Sequence, residues 1–408
     1  MPARQATGAA PGPPPHPGPG PAPHPASAPR SVPAPGRAPG RGVGRDRVAI
    51  VGGGLAGAAL AWRLVRRGCP VTVFTGGRES AAADATEASG GLVRGFEPDL
   101  VAARSAATGL AELRADPVLR DWAGYRETGS CFVLLPGSGP GPGPGPGPGG
   151  DRPPGPDAVL GLLDGLLPGS AELVEAASLP AFRSLPPGTW AVLERAAGRI
   201  SPARLRRSLL TAVERHGGRL CAEPVADPSD AELRSRHRAV VLATGPWTPA
   251  LLARAGLPDQ GLRSKQIQYT VLRGVRLPPG LGSFVDETSG LYGRPDGPDG
   301  LLLGLPTDRW DVDPVAPRPD PALAVRVLAV AQQRLRLPPG PGGRRHPGHA
   351  RTVAATDCYA LSGGLMLRQL VGQERLFTFT GGTGGAAKTA LTAARTAAEE
   401  LLQAAAAG

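Results

Sequence analysis

Gly52-Gly53-Gly54-Leu55-Ala56-Gly57 stands between an apolar run, Val48 to Val51, and an alanine-rich helical pattern, and a second apolar run, Val71 to Phe74, follows. Strand, glycine turn, helix and strand in this order let backbone N–H groups approach a pyrophosphate. Gly52 permits the tight turn, Gly54 the close approach and Gly57 the packing of helix on strand, while the helix N-terminus adds positive potential. The chemistry implied is dinucleotide binding; a purely structural glycine turn is the alternative. An acid at the end of the second strand usually holds a ribose in such units, and here the strand ends in Thr75. A second glycine block, Gly381-Gly382-Thr383-Gly384-Gly385-Ala386-Ala387-Lys388, precedes another alanine-rich helical pattern. Glycines there leave N–H groups free and point a positive helix end at whatever gains negative charge; the alternative is a turn capping a surface helix. The block ends on one of the chain's two lysines, the other being Lys265.

Other chemistries lose support from the composition. The four cysteines, Cys69, Cys131, Cys221 and Cys358, are far apart and form no CxxC pair, so neither a metal site nor a disulfide framework is expected. The six histidines all fall outside the glycine motifs, so any reaction must proceed without a motif histidine. The net charge of +11 comes from scattered arginines with no basic stripe interleaved with aromatics, and no nucleic-acid partner is expected. The opening MPARQATGAAPGPPP has no apolar h-region and no later run reaches the length of a membrane span, which predicts a soluble cytoplasmic protein.

The elements that must position these motifs follow from patterning. Residues 1–46, a Pro/Gly/Ala-rich arm, and the Gly-Pro insert at 136–156 bury too little apolar surface to offset chain entropy and are expected to be disordered. Helices are predicted from Pro98 to Leu119, Ala158 to Leu167, Ala171 to Leu179, Pro202 to Val213 with Ser201 as cap, and Pro321 to Leu335. Arg238 to Ala243 reads as a buried strand running into Thr244-Gly245-Pro246-Trp247. Short strands broken by Pro and Gly fill Gln266 to Leu305. Strands Arg351 to Cys358 and Arg375 to Thr380 precede the last helix, from Ala386. Parallel-type units at the start, middle and end, with antiparallel-type strands between, predict an α/β fold of two interleaved domains.

Four blocks in this order, Ile50 to Gly57, Ala88 to Gly91, Val240 to Trp247 and Gly381 to Lys388, resemble the flavin-dependent D-amino-acid oxidase superfamily, in particular its sarcosine oxidase and glycine oxidase branch. The resemblance, which runs roughly from Arg47 to Leu402, implies FAD as cofactor. It also implies a discontinuous Rossmann-like FAD-binding domain (47–100, 190–250 and 345–408) interleaved with a substrate domain on a mixed or antiparallel sheet (101–189 and 251–344). The residues it places on the cofactor are Gly52, Gly54, Leu55, Ala56 and Gly57; Ser89, Gly90 and Gly91; Thr244, Gly245 and Trp247; and Gly382, Thr383, Gly384, Gly385 and Ala386. With Thr75 at the strand end, backbone groups or Glu79 would hold the adenosine ribose.

On the same resemblance, Arg94 lies over the flavin ring and, with Lys388, is the catalytic candidate. Glu97 stands where those enzymes carry a carboxylate-binding arginine; it favours a cationic group or is a solvated loop acid. Cys358 is either joined through sulfur to the flavin or is a buried free thiol. Tyr269, Tyr292, Trp310 and Tyr359 are candidate pocket walls, and Lys265 reads as structural. Leu301-Leu302-Leu303 occupies a strand in which several such enzymes place a lysine that promotes reaction with oxygen. The function implied is oxidation of a C–N bond of a small amine or amino acid, with hydride transfer to flavin and an imine product. A dehydrogenase of the same fold that uses a non-oxygen acceptor, and a flavin-binding maturation or assembly protein, are the alternatives.

Overall fold

The computed structural model describes residues 47–76, 84–139, 155–338 and 349–406. The arm at 1–46, the body of the Gly-Pro insert and Glu79 lie outside them. Apolar runs with no polar alternation form strands buried on both faces. So β1 (Val48–Val51) and β10 (Ala239–Leu242) are buried throughout and sit at the centre of a six-stranded sheet. β1 pairs in parallel with β2 (Val71–Phe74) and β10, β2 with β9 (Arg219–Cys221), and β10 with β17 (Leu376–Thr380). β16 (Met366–Gln369) closes one edge, antiparallel to β17.

Alternate residues of β1 serve the two faces. Val48 and Ile50 pack with α1 (Leu55–Val65), α5 (Pro202–Arg215) and α9 (Ala386–Ala406), whereas Ala49 and Val51 pack with Leu251 and Leu252 of α7 (Thr248–Arg254). α5 begins as predicted: the Ser201 hydroxyl accepts from the Arg204 N–H at 3.3 Å, Pro202 takes the first turn, and Leu205, Leu209, Ala212 and Val213 form the buried stripe. α6 (Ala231–Arg236) precedes β10 with no buried residue.

A second sheet has eight strands in the order β15 (His349–Ala360), β11 (Leu262–Arg273), β14 (Gly300–Gly304), β13 (Leu291–Pro295), β12 (Ser283–Asp286), β5 (Ser130–Val133), β7 (Trp190–Glu194) and β6 (Ala171–Glu175). All its pairs are antiparallel except β12 with β5. α8 (Pro321–Arg334) packs Leu323, Val327 and Ala331 into the core beneath it. The short strands β3 (Leu92–Val93), β4 (Arg126–Glu127) and β8 (Gly198–Arg199) form a third sheet, and α4 (Pro156–Leu166) packs on α2 (Leu100–Ala115). This is the α/β fold with a mixed, largely antiparallel second sheet that the sequence predicts. No helix among the described residues is long and apolar enough to cross a membrane.

Two elements differ from the sequence reading. The helix expected over Pro98 to Leu119 is two helices, α2 and α3 (Pro117–Ala123). Pro117 has no N–H with which to continue the first, and the Asp116 carboxylate accepts the Val118 and Leu119 N–H groups at 2.8 and 3.2 Å to start the second. Ala171 to Leu179, expected to be helical, is strand β6 followed by a single 3₁₀ turn, because pairing with β7 outweighs local apolar spacing.

Helices α1, α2 and α9 meet at one buried cation. Arg63 of α1, 6% exposed, places Nη2 at 2.6 Å from Glu112 of α2 and donates to the Leu391 carbonyl of α9 at 3.0 Å. Its guanidinium also lies 4.6 Å from the Trp62 ring centroid. Removing one member of such a pair leaves a buried charge without its partner. Glu112→Ala should therefore destabilise the protein by about 3 kcal/mol, and the apolar double replacement Arg63→Met/Glu112→Leu by less. Urea unfolding followed by circular dichroism measures both, and a double variant weaker than Glu112→Ala would contradict the expectation.

Candidate active site

A cavity of about 1020 Å³ opens at the carboxyl ends of β1, β2 and β10 and extends to the face of the eight-stranded sheet. At the first end the backbone turns in contact with itself. Gly52 has φ +115°, and a Cβ there would lie 2.3 Å from the Ala243 carbonyl oxygen; a Cβ on Gly57 would lie 2.0 Å from the Gly52 oxygen. Gly57 therefore packs α1 onto the turn and does not itself line the cavity, whereas Gly52, Gly54, Leu55 and Ala56 do. Gly54 is different in kind: a Cβ there meets only Thr86 Oγ1, at 3.6 Å, so the space beside it is cavity. The Leu55 N–H at the start of α1 donates to that hydroxyl at 3.1 Å, and the Thr86 N–H donates to Asp84 at 2.7 Å. Arg206 pairs with both Asp84 and Glu87. Thr75 lines the cavity with its hydroxyl bonded to the Cys221 carbonyl at 3.2 Å.

The middle blocks also meet here. Ser89, Gly90, Gly91, Thr244, Gly245 and Trp247 all line the cavity. The Ser89 hydroxyl accepts the Gly91 N–H at 3.2 Å, and Gly91, at φ +65°, passes so close to the Ile200 carbonyl that a Cβ would lie 2.2 Å from its oxygen. Thr244 and Thr248 share a hydroxyl–hydroxyl bond of 2.8 Å.

Arg94 and Lys388 line the cavity too, and one carboxylate oxygen holds both. Glu97 Oε1 is 3.0 Å from Arg94 Nη2 and 2.6 Å from Lys388 Nζ. Arg94 Nε also donates to the Phe96 carbonyl at 3.0 Å, and its guanidinium lies 5.0 Å from the Phe132 ring centroid. Below the loop, the Glu194 carboxylate receives the Gly95 and Phe96 N–H groups at 2.7 and 3.0 Å. Burial alone would raise the Glu97 carboxyl, but Arg94 and Lys388 together outweigh it and hold it below the ordinary value. Burial, then the Arg94 charge, pulls Lys388 below its ordinary value despite Glu97. Burial pushes Glu194 up against the opposing pull of its two backbone donors. Glu97 is therefore neither a solvated loop acid nor a wall of the cavity. It is the shared counter-ion of the two catalytic candidates, joined by a contact between loop and α9 that no sequence spacing reveals.

Of the closing glycine block, Gly382, Gly384 and Ala386 line the cavity; Thr383 and Gly385 do not. Three of its N–H groups are already bonded within the chain: Thr383 to the Cys358 carbonyl at 3.2 Å, Gly384 to Asp357 Oδ2 at 3.2 Å, and Gly385 to the Gly382 carbonyl at 2.7 Å. The turn folds back on β15 at these positions instead of leaving them free. Burial pushes the Asp357 carboxyl up, with the Cys358 and Gly384 N–H groups opposing. Along β15, Asp357 and Tyr359 line the cavity, whereas Cys358 between them is buried and does not. Burial pushes its thiol up to about 11, with a Thr380 hydrogen bond opposing.

Tyr269, Tyr292 and Tyr359 line the cavity as expected; Trp310 does not. Trp310 instead stacks edge-on to Tyr359, with Lys265 Nζ 4.4 Å from the Trp310 centroid and 5.1 Å from that of Tyr359. The Tyr292 hydroxyl donates to the Gln268 carbonyl at 3.1 Å, and its ring occupies the space that a side chain at Gly304 would take. Leu302 of β14 faces Gly90. Thr86, Gln266, Gln268 and Glu287 also line the cavity, and sequence reading missed them. Single polar residues in strands and loops give no periodic signal; only the alternation along β11 hinted at two glutamines turned inward.

A pocket that begins at a glycine turn under a helix N-terminus, keeps open space at Gly54 and ends at a second glycine-bounded helix suits an elongated dinucleotide, held mainly by backbone. The family described as FAD dependent oxidoreductase matches residues 47–400. Glycine oxidase from Geobacillus kaustophilus superposes with a TM-score of 0.64 at 19% identity, covering 88% of this chain and 95% of its own. L-proline dehydrogenase from P. horikoshii does so at 0.65 and 14%, covering 88% and 94%, and iminodiacetate oxidase from Chelativorans sp. BNC1 at 0.60 and 16%, covering 88% and 95%. No curated protein matches the sequence. The chain belongs to the FAD-dependent oxidoreductase family.

Proposed function

We propose that the protein oxidises the C–N bond of a small amine or amino acid to an imine. The observation that carries this reading is the single cavity in which the glycine turn, the middle blocks and the closing block converge with Arg94 and Lys388. Bound FAD would supply the two-electron acceptor for the hydride leaving carbon. Residues Gly52, Gly54, Leu55 and Ala56 would hold the pyrophosphate under the α1 N-terminus, with Ser89 to Gly91 beside it and Gly382, Gly384 and Ala386 at the ring. The parallel sheet would then form the FAD-binding domain and the eight-stranded sheet the substrate domain. Tyr269, Tyr292 and Tyr359 would set the position of the substrate's reacting carbon. Similarity to glycine oxidase, L-proline dehydrogenase and iminodiacetate oxidase supports C–N chemistry. The test is anaerobic mixing of the purified yellow protein with amines, imino acids and amino acids. At least one should bleach the flavin, and bleaching by none would refute the reading.

A non-oxygen electron acceptor is favoured by one observation. β14, which passes Gly90 at Leu302, carries only leucines between its glycines, Leu301, Leu302 and Leu303, all buried, and no lysine. Hydrogen peroxide released in proportion to substrate consumed would exclude it.

Gly54→Val should lower FAD content at least about tenfold by filling the space beside the pyrophosphate, with little loss of apoprotein stability because a Cβ there meets nothing closer than 3.6 Å. Mass analysis of released cofactor and thermal unfolding check the two halves. Acid precipitation should leave the flavin in the supernatant, because the Cys358 thiol does not line the cavity; a flavin-sized mass increment on the polypeptide, lost in Cys358→Ser, would contradict that.

A further inference from the structure

A cavity that oxidises an α-amino acid needs a cation free to take the substrate carboxylate, and here the candidates are occupied. Arg94 and Lys388 converge on the same oxygen of Glu97, at 3.0 and 2.6 Å, with all three side chains largely buried. Glu194 accepts two backbone N–H bonds beneath the same loop, an arrangement suited to a carboxylate, and so sets a second acid against the two cations. A substrate carboxylate arriving there would compete with Glu97 for both partners and add a further anion to a buried cluster that already contains two acids. Like charges brought together in such a site are strongly disfavoured. Of the other cations that line the cavity, Arg206 and Arg207 pair with acids of the loop before β3, and Lys265 keeps its ammonium over the Trp310 and Tyr359 rings.

The acids of the cavity stand differently. Asp357 has both carboxylate oxygens on backbone N–H groups. Glu287, half-buried on the segment after β12, lines the cavity and has one backbone donor, the Leu135 N–H. Among the described residues no cation lies within ion-pair distance of it, although it shares the neighbourhood of Arg94 and Glu97. Beside Arg94 and Lys388, already paired with Glu97, the cavity therefore presents Glu287 as a carboxylate seeking a positive partner.

We infer that Glu97 withholds Arg94 and Lys388 from the substrate and that Glu287 recognises a second basic nitrogen, so that the compound oxidised is a cationic diamine rather than an α-amino acid. This rests on the C–N oxidation proposed above and narrows it. The substrate nitrogen remote from the reacting bond sits as an ammonium on Glu287, and the reacting nitrogen enters as the free amine. Bound FAD would take up the hydride from its carbon, and the nitrogen would give the remaining proton to solvent as the imine forms.

The experiment uses FAD-loaded protein and reads both reduction and binding. In anaerobic stopped flow, 1,4-diaminobutane and its N-methyl derivative should reduce the flavin at least about tenfold faster than glycine, sarcosine or L-proline at equal concentration. Faster reduction by the amino acids overturns the inference but leaves C–N oxidation standing; no reduction by any amine or amino acid overturns C–N oxidation itself. Independently of turnover, acetate should perturb the visible flavin spectrum of Glu97→Gln at concentrations at least about tenfold lower than in the unmutated protein, because the substitution releases Arg94 and Lys388. Glu287→Gln should weaken diamine binding by a similar factor and leave acetate binding unchanged. If Glu97→Gln loses its flavin, the acetate titration of the unmutated protein still decides: tight acetate binding there shows that the cations are free and overturns the inference.

Discussion

The structure depends on a backbone contact that admits no side chain. At the end of β1 the chain turns at Gly52 against the Ala243 carbonyl, and α1 enters so close behind that Gly57 rests on the Gly52 oxygen. The two contacts fix three elements at once. They set the angle of α1, the spacing of β1 and β10, and the direction in which the helix N-terminus points, which is into the cavity. A Cβ at either position would have to move backbone rather than a flexible side chain, so the cost would spread through the sheet. The hydrogen bond from the Leu55 N–H to Thr86 then attaches the loop before β3 to that helix end, and Arg206, through Asp84 and Glu87, attaches α5 to the same loop.

At the other end, side chains do the joining. Arg94 and Glu97 come from the loop after β3, Lys388 from the first turn of α9 and Glu194 from the end of β7. Arg94 and Glu97 share one loop, whereas Lys388 and Glu194 come from distant parts of the chain, so the cluster joins a helix on the parallel sheet to a strand of the eight-stranded sheet. Buried charge of this kind specifies an arrangement more than it stabilises one, because its Coulomb gain is largely offset by desolvation. Here what it fixes is the loop that carries Arg94 along the cavity wall.

This difference between the two ends explains what the sequence disclosed. The glycine turn, the parallel strands and the capped α5 were legible, because glycine spacing, unbroken apolar runs and Ser201-Pro202 are local signals whose structural meaning is nearly unique. The break at Asp116-Pro117 was written just as locally but was overridden by apolar periodicity on both sides. β6 was misread because an edge strand takes its identity from a partner, β7, that local spacing does not contain. In the site, positions held by backbone were located from glycines, whereas Glu97, Asp357 and Glu287 were not understood, since the role of an acid is decided by which cation or N–H group the fold brings to it. Cys358 turned on a single alternation of β15, and its neighbours on either side, not the cysteine, line the cavity.

A cofactor gripped by backbone and a substrate read by side chains place different demands on sequence. In the turn at Gly52 to Gly57 the fold excludes a Cβ at Gly52 and Gly57, whereas at Gly54 only the space for the cofactor does. Tyr269, Tyr292 and Tyr359 of the cavity wall rest on strands whose pairing is set by main-chain bonds, and Glu287 follows directly on β12. Glu97 shows the consequence. One carboxylate in a loop, anchored from below by the hold of Glu194 on the Gly95 and Phe96 N–H groups, is enough to convert two cations facing the cavity into an internal salt bridge. The charge that this wall presents is thereby set by a loop that lies apart from the glycine turn at Gly52.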